Sequence, residues 1–422
     1  MTPTTTVEPS VLPERRRSRL LHHDPVVRRL AVITLVNTMG SGLSMTLGVL
    51  YFTRVLGFGV TEVGVALTVA GLCGVLAGIP AGRASDRFGA KPVLVALTAV
   101  EALGTLGYVL VDGFAAFAAL ACVVAAADRG AGAVRGALYA DILPADERVA
   151  GRAYLRSVTN VGISVGTVLA ALALHVDTRA AYSAALLADA ASFLLVAACY
   201  ALLVPATPRH AAAAGPAGTG RNPALRDLPF LVVTGLNGLL CLQFAMIEVG
   251  VPLWIVRETD APRVMVAGSL LVNTALVIAL QVRATRGTEQ PGAAARVFAR
   301  GGLLLTGSCL VLGLAADVPP VVAALMLMAG IGLQALGEVF SQAGGWALSY
   351  SLAGDRAHGA YQGVFNSGAA AALMIGPALV TTLLLGHGLF GWAVFGALFA
   401  AAGLAMGPAV RWAEERAGGP AA

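Results

Sequence analysis

The residues of this sequence best able to do chemistry are ionisable side chains that lie inside long apolar stretches. Charges in such a setting cost free energy unless they face a cavity or a partner, so each is a candidate for contact with an ion or a substrate. The set consists of Glu101, Asp128, Arg129, Arg135, Asp189, Glu248 and Glu338.

The stretch "DRGAGAVRG" places three of these charges on one segment. Asp128 and Arg135 are seven residues apart and share roughly one face of a helix, whereas Asp128 and its neighbour Arg129 are not expected to face one another. A buried acid–base pair that changes protonation during a reaction cycle explains the pattern. A structural ion pair that orients the helix explains it equally well, so both interpretations stay open.

Other polar residues in the apolar stretches form smaller candidate sites. Glu338 and Gln334, one helical turn apart, give the most polar face of their segment. Glu248 lies towards the end of its stretch, where access or plain solvation suits it. Asn37 and Asn237 lie one or two turns inside their segments, where hydrogen bonding between helices is favoured over ligand binding.

Enzymatic and metal chemistry are not expected. The six histidines are scattered over chain ends and loops, and each of the five cysteines stands alone in a different apolar stretch. There is no CxxC motif, Cys/His grouping or nucleotide-binding P-loop. The sequence therefore predicts no metal, no cofactor and no disulfide.

Composition defines the elements that position these residues. Of the 422 residues, 57% are hydrophobic and only 12% are charged, about half the charge of a soluble domain. A helix needs about 20 apolar residues to cross a bilayer core of about 30 Å. We therefore predict an all-α polytopic membrane protein with spans at 30–52, 60–81, 92–111, 113–140, 154–175, 181–204, 229–254, 264–282, 297–316, 319–348, 360–385 and 389–410.

The cations are distributed as topology signals rather than as a nucleic-acid surface. With the N-terminus inside, 22 of the 28 Lys and Arg residues fall in inner segments and 4 in outer ones. The positive-inside rule then predicts that both termini are cytoplasmic in the cell membrane. The inner set includes Arg148, Arg152 and Arg156, taken as charges at the boundary of the fifth span.

The chain also divides into two related halves. Residues 206–228 are rich in Ala, Gly and Pro and form a predicted cytoplasmic linker. They separate a bundle at 30–205 from one at 229–410, with a cytoplasmic segment at 1–29 and a tail at 411–422. Short matches at an offset of 200 residues, such as "VITLVN" with "VVTGLN", favour a parallel internal repeat.

Between the second and third spans lies "GRASDRFGAK", which resembles the signature loop of the major facilitator superfamily. The matching residues are Gly82, Asp86, Arg87, Gly89 and Lys91. The resemblance implies twelve helices in two pseudo-symmetric six-helix bundles, with helices 1, 4, 7 and 10 around a central cavity. It also implies that Asp86 meets the start of helix 11 and holds the halves together, with Arg87 and Lys91 bridging to acids or lipid phosphates.

The same resemblance sets the functional expectation. The leading hypothesis is a secondary transporter that moves a small organic molecule by alternating access, as a proton-coupled efflux antiporter. The alternative is a metabolite uptake carrier or facilitator of the same fold. Expected partners are the substrate, protons and the lipid bilayer, with the protein acting as a monomer and binding no nucleic acid.

Overall fold

The computed structural model describes residues 23–176, 178–205, 222–353 and 357–418, which form twelve long helices and no strand. The helices are α1 (Pro25–Leu50), α2 (Val60–Phe88), α3 (Ala90–Gly107), α4 (Phe114–Ile142), α5 (Arg148–Val176), α6 (Arg179–Leu203), α7 (Leu228–Ala245), α8 (Val264–Leu280), α9 (Pro291–Gly313), α10 (Pro320–Ser351), α11 (His358–Val380) and α12 (Gly386–Gly418). Three of these helices continue through a π-helical turn: α1 through Tyr51–Val55, α7 through Met246–Gly250 into Val251–Glu258, and α11 through Thr381–Leu385.

Eleven of these helices, within the described part of the chain, are long and apolar enough to cross a membrane. The exception is α8, which has 17 residues. It matches the span at 264–282, the shortest of the predicted set. An all-α polytopic membrane fold is therefore confirmed.

Packing repeats between the two halves of the chain. In the first half α1 packs on α5 and α6, α4 packs on α2 and α3, and α3 packs on α6. The second half repeats every one of these pairings with each helix number raised by six. Two six-helix bundles thus share one internal arrangement. Most of the linker predicted at 206–228 lies outside the described residues, so the domain boundaries stay predictions.

Local sequence explains where several helices begin. The Asp24 carboxylate accepts a hydrogen bond from the Val26 amide at 2.6 Å, and Pro25 fixes the first helical position. Thr178 and Asp227 cap α6 and α7 in the same way. Such caps satisfy the amides that a helix start leaves without intrahelical partners.

Each bundle has its own apolar core. In the second bundle the Trp254 and Trp392 rings meet edge to face at 5.5 Å, and Trp254 Nε1 donates to the Leu312 carbonyl at 2.9 Å. In the first, Phe52, Tyr108 and Phe117 form an aromatic cluster. Many outward Leu and Val side chains, such as Leu76 at 62% exposed, form the apolar surface expected against lipid.

Two predicted boundaries were wrong. The stretch 82–91 was expected to be a loop, but α2 runs on to Phe88 and only Gly89, at φ 92°, interrupts the helical backbone before α3. A positive φ of this size favours glycine, so Gly89 sets the sharp turn. Arg152 and Arg156 were taken as charges at the boundary of the fifth span, but α5 begins at Arg148 and carries both inside the helix.

Candidate functional site

Asp86 joins the two bundles. It lies in the last turn of α2, and its carboxylate oxygens accept hydrogen bonds from the backbone amides of Gly359 at 2.7 Å and Ala360 at 2.8 Å. Both amides belong to the first turn of α11, where unpaired N–H groups and the helix dipole favour an anion. The predicted contact between Asp86 and the start of helix 11 is confirmed. We call this end of the bundles the motif end.

Glycines let α2 and α11 approach closely beside Asp86. A methyl group on Gly82 would collide with the Gly359 carbonyl oxygen, and one on Gly363 would come within 2.7 Å of the Gly78 carbonyl oxygen. We call these four glycines the glycine contact. This contact was not predicted from the sequence, although the four-residue spacings of Gly78 with Gly82 and of Gly359 with Gly363 are typical of closely packed membrane helices.

Arg152 forms a second connection at the motif end. Its Nη1 donates to the Tyr350 hydroxyl and to Gln362 Oε1, both at 3.1 Å, and its guanidinium lies 5.0 Å from the centre of the Trp346 ring. Tyr350 in turn donates to the Gly136 carbonyl of α4 at 3.4 Å. Arg152 therefore links α5 of the first bundle to α10 and α11 of the second.

The remaining signature residues contact their own bundle. Lys91 Nζ donates to the Val204 carbonyl at 2.7 Å, which joins the start of α3 to the end of α6. The Arg87 guanidinium lies 5.1 Å from the centre of the Phe88 ring. Bridges from these cations to acids or to lipid phosphates stay predictions.

The charges of α4 line a cleft between α2, α4 and α11. Asp128 Oδ2 and Arg129 Nε are 3.6 Å apart, with side chains 51% and 49% exposed. The expectation that these neighbours do not face one another was wrong, since the two side chains contact each other in the cleft, where both are about half exposed. The cleft is lined by Gly74, Gly78, Asp128, Arg129, Gly132, Arg135, Asn366, Ser367, Ala369, Ala370 and Leu373.

Arg135 does not form the buried pair with Asp128 that the seven-residue spacing suggested. Among described residues no carboxylate oxygen lies within 4.0 Å of its guanidinium. Its charge instead interacts at longer range with both Asp128 and Glu101. Arg135 therefore lines the cleft together with Asp128 without a direct ion pair to a described acid.

Two buried acids lie behind the cleft. Glu101 of α3 is 1% exposed, and its Oε1 has no hydrogen-bond partner among the described residues. Asp189 of α6 accepts a hydrogen bond from the Ser44 hydroxyl of α1. Both acids were candidates as intramembrane charges, and both lie on the core side of the first bundle.

The second bundle holds a polar network around Glu338. Its Oε2 accepts from Asn273 at 3.4 Å and from Gln334 at 3.3 Å, and its Oε1 accepts from Gln342 at 3.3 Å. Gln334 also donates to Gln243 of α7. The predicted polar face of Glu338 and Gln334 is present, and Gln243, Gln342 and Asn273 extend it across α7, α8 and α10.

The remaining candidates are separate from both clusters. Asn237 is buried, donates weakly to Cys241 Sγ at 3.7 Å and packs against Gly345 of α10. This hydrogen bond stays within α7, so the favoured hydrogen bonding between helices stays a prediction. Asn37 is half-buried in α1, and Glu248 is exposed in the π-helical turn that follows α7.

The described residues contain no group of three or more His, Cys, Asp or Glu side chains that could hold a metal ion. The chemistry available is that of carboxylates, guanidinium groups and amides at a membrane interior. Such groups bind and exchange protons or charged ligands.

Two six-helix bundles with the same internal packing, joined by an acidic side chain at the start of a helix, are typical of a membrane transporter. The family model for the major facilitator superfamily matches residues 30–377. This chain belongs to the major facilitator superfamily.

Solved structures share the fold at low sequence identity. The human organic anion transporter MFSD10 (TETRAN) is 18% identical, with a TM-score of 0.68 over 91% of this chain and 100% of that one. A bacterial homologue of the iron transporter ferroportin, in an outward-facing state, is 12% identical, with a TM-score of 0.70 over 93% and 100%. The proton:xylose symporter XylE, bound to 6-bromo-6-deoxy-D-glucose, is 14% identical, with a TM-score of 0.63 over 90% and 95%. The search of curated proteins gave no match.

Proposed function

We propose that this transporter is a proton-coupled antiporter that exports a small organic molecule across the cytoplasmic membrane by alternating access. The observation that carries the mechanism is the contact of Asp86 with the Gly359 and Ala360 amides. Because this contact lies at one end of the bundles, its release would allow the bundles to rock about the cleft between α2, α4 and α11.

The motif end is the cytoplasmic end in this proposal. The Arg-rich segments of the sequence support that orientation through the positive-inside rule. With the motif end closed, the cleft beside Asp128 is accessible from the outside. Both chain termini then lie in the cytoplasm, and the bundle functions as a monomer.

Asp128 is the first candidate for the proton site. It is about half exposed in the cleft and its partner Arg129 is equally accessible, so solvent can reach the pair. Asp128 can then take up a proton at one stage of the transport cycle and release it at another. Glu338, held by three amide donors in the other bundle, is the second candidate.

Everted membrane vesicles test both export and coupling. A pH gradient acid inside is generated and followed by the quenching of a weak-base acridine dye, and lipophilic organic compounds are then added singly. An antiporter uses the gradient to import its substrate, so a substrate restores the fluorescence as protons leave. Recovery of dye fluorescence in vesicles that contain the protein, but not in vesicles that lack it, supports the proposal.

Variants separate coupling from transport. Asp128→Asn should abolish the substrate-driven release of protons from the vesicles. It should leave intact the exchange of labelled for unlabelled substrate across the membrane. Substrate flux that ignores the pH gradient in the unmodified protein would favour a facilitator. Flux driven in the same direction as proton entry would favour an uptake carrier.

A further inference from the structure

Arg156 is a charge within the membrane interior. It lies eight residues after the start of α5 at the motif end, which corresponds to a depth of about 12 Å at a rise of about 1.5 Å per residue. Its guanidinium reaches the ring of Phe244, which lies sixteen residues after the start of α7 at the same end, so the charge lies well inside the membrane. Substrate sites of secondary transporters lie near this depth.

The guanidinium has no polar partner in the described part of the chain. No carboxylate oxygen there lies within 4.0 Å of it, and its Nε is buried without a hydrogen bond. The guanidinium instead contacts an aromatic ring, since its central carbon lies 5.6 Å from the centre of the Phe244 ring. Arg156 is half-buried, and a buried donor without a partner on a cation costs free energy that a bound anion would recover.

The acids closest to Arg156 are engaged or distant. Glu338 attracts the guanidinium electrostatically but is 3% exposed and accepts from three amides. Glu248 also attracts it, yet is exposed in the π-helical turn of α7. Neither acid neutralises Arg156 by direct contact.

The side chains next to Arg156 come from both bundles. Arg156 belongs to the first bundle and the Phe244 ring that it contacts to the second. Asn160 is one helical turn further along α5, on the same face as Arg156, and is half-buried. The cation and the aromatic ring therefore meet between the two halves, with an amide on the cation's face of α5.

We propose that Arg156 binds the carboxylate of the transported molecule, and that the Phe244 ring covers its apolar part. The substrate class is thus an organic monoanion with an apolar body. This inference rests on the proposed transport function. It assigns the substrate contact to α5 and α7, in a region distinct from the Asp128 cleft between α2, α4 and α11.

Binding of matched probes tests the proposal without requiring transport. The full-length protein in detergent is titrated with benzoate, benzylamine and benzamide, and with the three corresponding naphthalene compounds. Thermal unfolding followed by tryptophan fluorescence gives the stabilisation by each probe. We expect the carboxylates to stabilise the protein and the amines and amides to do so at least about tenfold more weakly, since a charged hydrogen bond is lost.

Three variants locate the site. Arg156→Gln should weaken carboxylate binding by about tenfold or more, and Arg156→Lys should retain part of it because the charge is kept but the planar fork is lost. Phe244→Leu should weaken the naphthalene carboxylate more than benzoate. Arg300→Gln removes the same charge from an exposed position of α9 and should bind like the unmodified protein.

Several results would overturn the proposal. They are an absence of stabilisation by carboxylates, equal binding of amines, or unchanged carboxylate binding in Arg156→Gln at normal folding. A further result against it would come from ligand-free unfolding. If Glu338→Gln cancels the destabilisation caused by Arg156→Gln, then Arg156 serves Glu338 and not a ligand.

The outcome is separable from the proposed function. Selective carboxylate binding without any substrate flux in vesicles would leave the anion site and reject the transport proposal. Proton-coupled flux of neutral or cationic compounds, with no carboxylate binding, would do the reverse.

Discussion

At the scale of single residues, Asp86 is the side chain on which closure depends in the proposed mechanism. Both of its carboxylate oxygens accept hydrogen bonds from backbone amides of α11. A hydrogen bond to a charged group contributes about 1.5 to 3 kcal/mol to stability. Asp86→Asn removes the charge and one acceptor, so the closed population should fall by about tenfold or more. Transport should slow while substrate affinity is retained, measured as turnover and binding on the same preparation.

The matched control for this variant is Asp146→Asn, an exposed acid in the segment between α4 and α5. It makes the same chemical change near the same end of the molecule and should transport normally. Normal turnover of Asp86→Asn at normal expression would show that the contact does not contribute to gating.

Glu338 carries a stability prediction. Glu338→Leu leaves three amide donors without their acceptor, and interhelical hydrogen bonds in membranes contribute about 0.6 kcal/mol each. The free energy of unfolding should therefore fall by about 2 kcal/mol. Glu338→Gln keeps an acceptor oxygen and should cost less than half as much. Unfolding in mixed detergent micelles measures both, and equal losses would contradict the network.

Some residue-level features were accessible from sequence and others were not. The contact of Asp86 followed from its motif and from the preference of a helix start for anions. The network around Glu338 did not, because Asn273, which donates to Glu338, and Gln243, which accepts from Gln334, lie 65 and 95 residues away from Glu338 in a chain with many other amides. Arg152 and Arg156 were misassigned because charges in the first turns of a membrane helix look the same as charges in a loop.

At the scale of elements, the crossing of α2 and α11 depends on glycine. Gly82→Ala would place a methyl group against the Gly359 carbonyl oxygen, so the helices must separate. We expect loss of closure at the motif end with little change in the fold of either bundle. Protease accessibility of the segment between α10 and α11 should rise.

The control is Gly64→Ala in the same helix, where an added methyl group would meet no atom within 4 Å. It also raises helix propensity and should leave accessibility unchanged. Equal behaviour of the two variants would reject the glycine contact as a determinant of closure.

The ends of elements show why sequence could not define the motif fully. Glycine and charge predicted a loop at 82–91, yet a single residue with positive φ was enough to turn the chain. The polar side chains there are compatible with helix because they reach water or helix ends at the membrane surface. Hydropathy therefore placed the apolar part of α2 correctly and ended the helix too early.

At the scale of the whole molecule, the proposed orientation in the membrane rests on the distribution of cations in the sequence. Single cysteines replace Asp146, in the segment between α4 and α5, and Asp260, in the segment between α7 and α8, in a background without the five native cysteines. In intact cells a membrane-impermeant maleimide should label the cysteine at 260 and spare the one at 146. Permeabilised cells should label both, and the opposite pattern in intact cells would invert the topology.

The most direct measurement of alternating access compares distances at the two ends of the molecule. In the same cysteine-free background, one pair of spin labels replaces Phe88 and Arg286 at the motif end, and another replaces Thr61 and Thr382 at the opposite end, all exposed positions. Pulsed electron–electron double resonance gives both distance distributions for the protein in lipid nanodiscs. With Asp86→Asn, the motif-end distance should lengthen and the opposite distance should shorten. Distributions that stay unchanged, or that move in the same direction at both ends, would contradict the account.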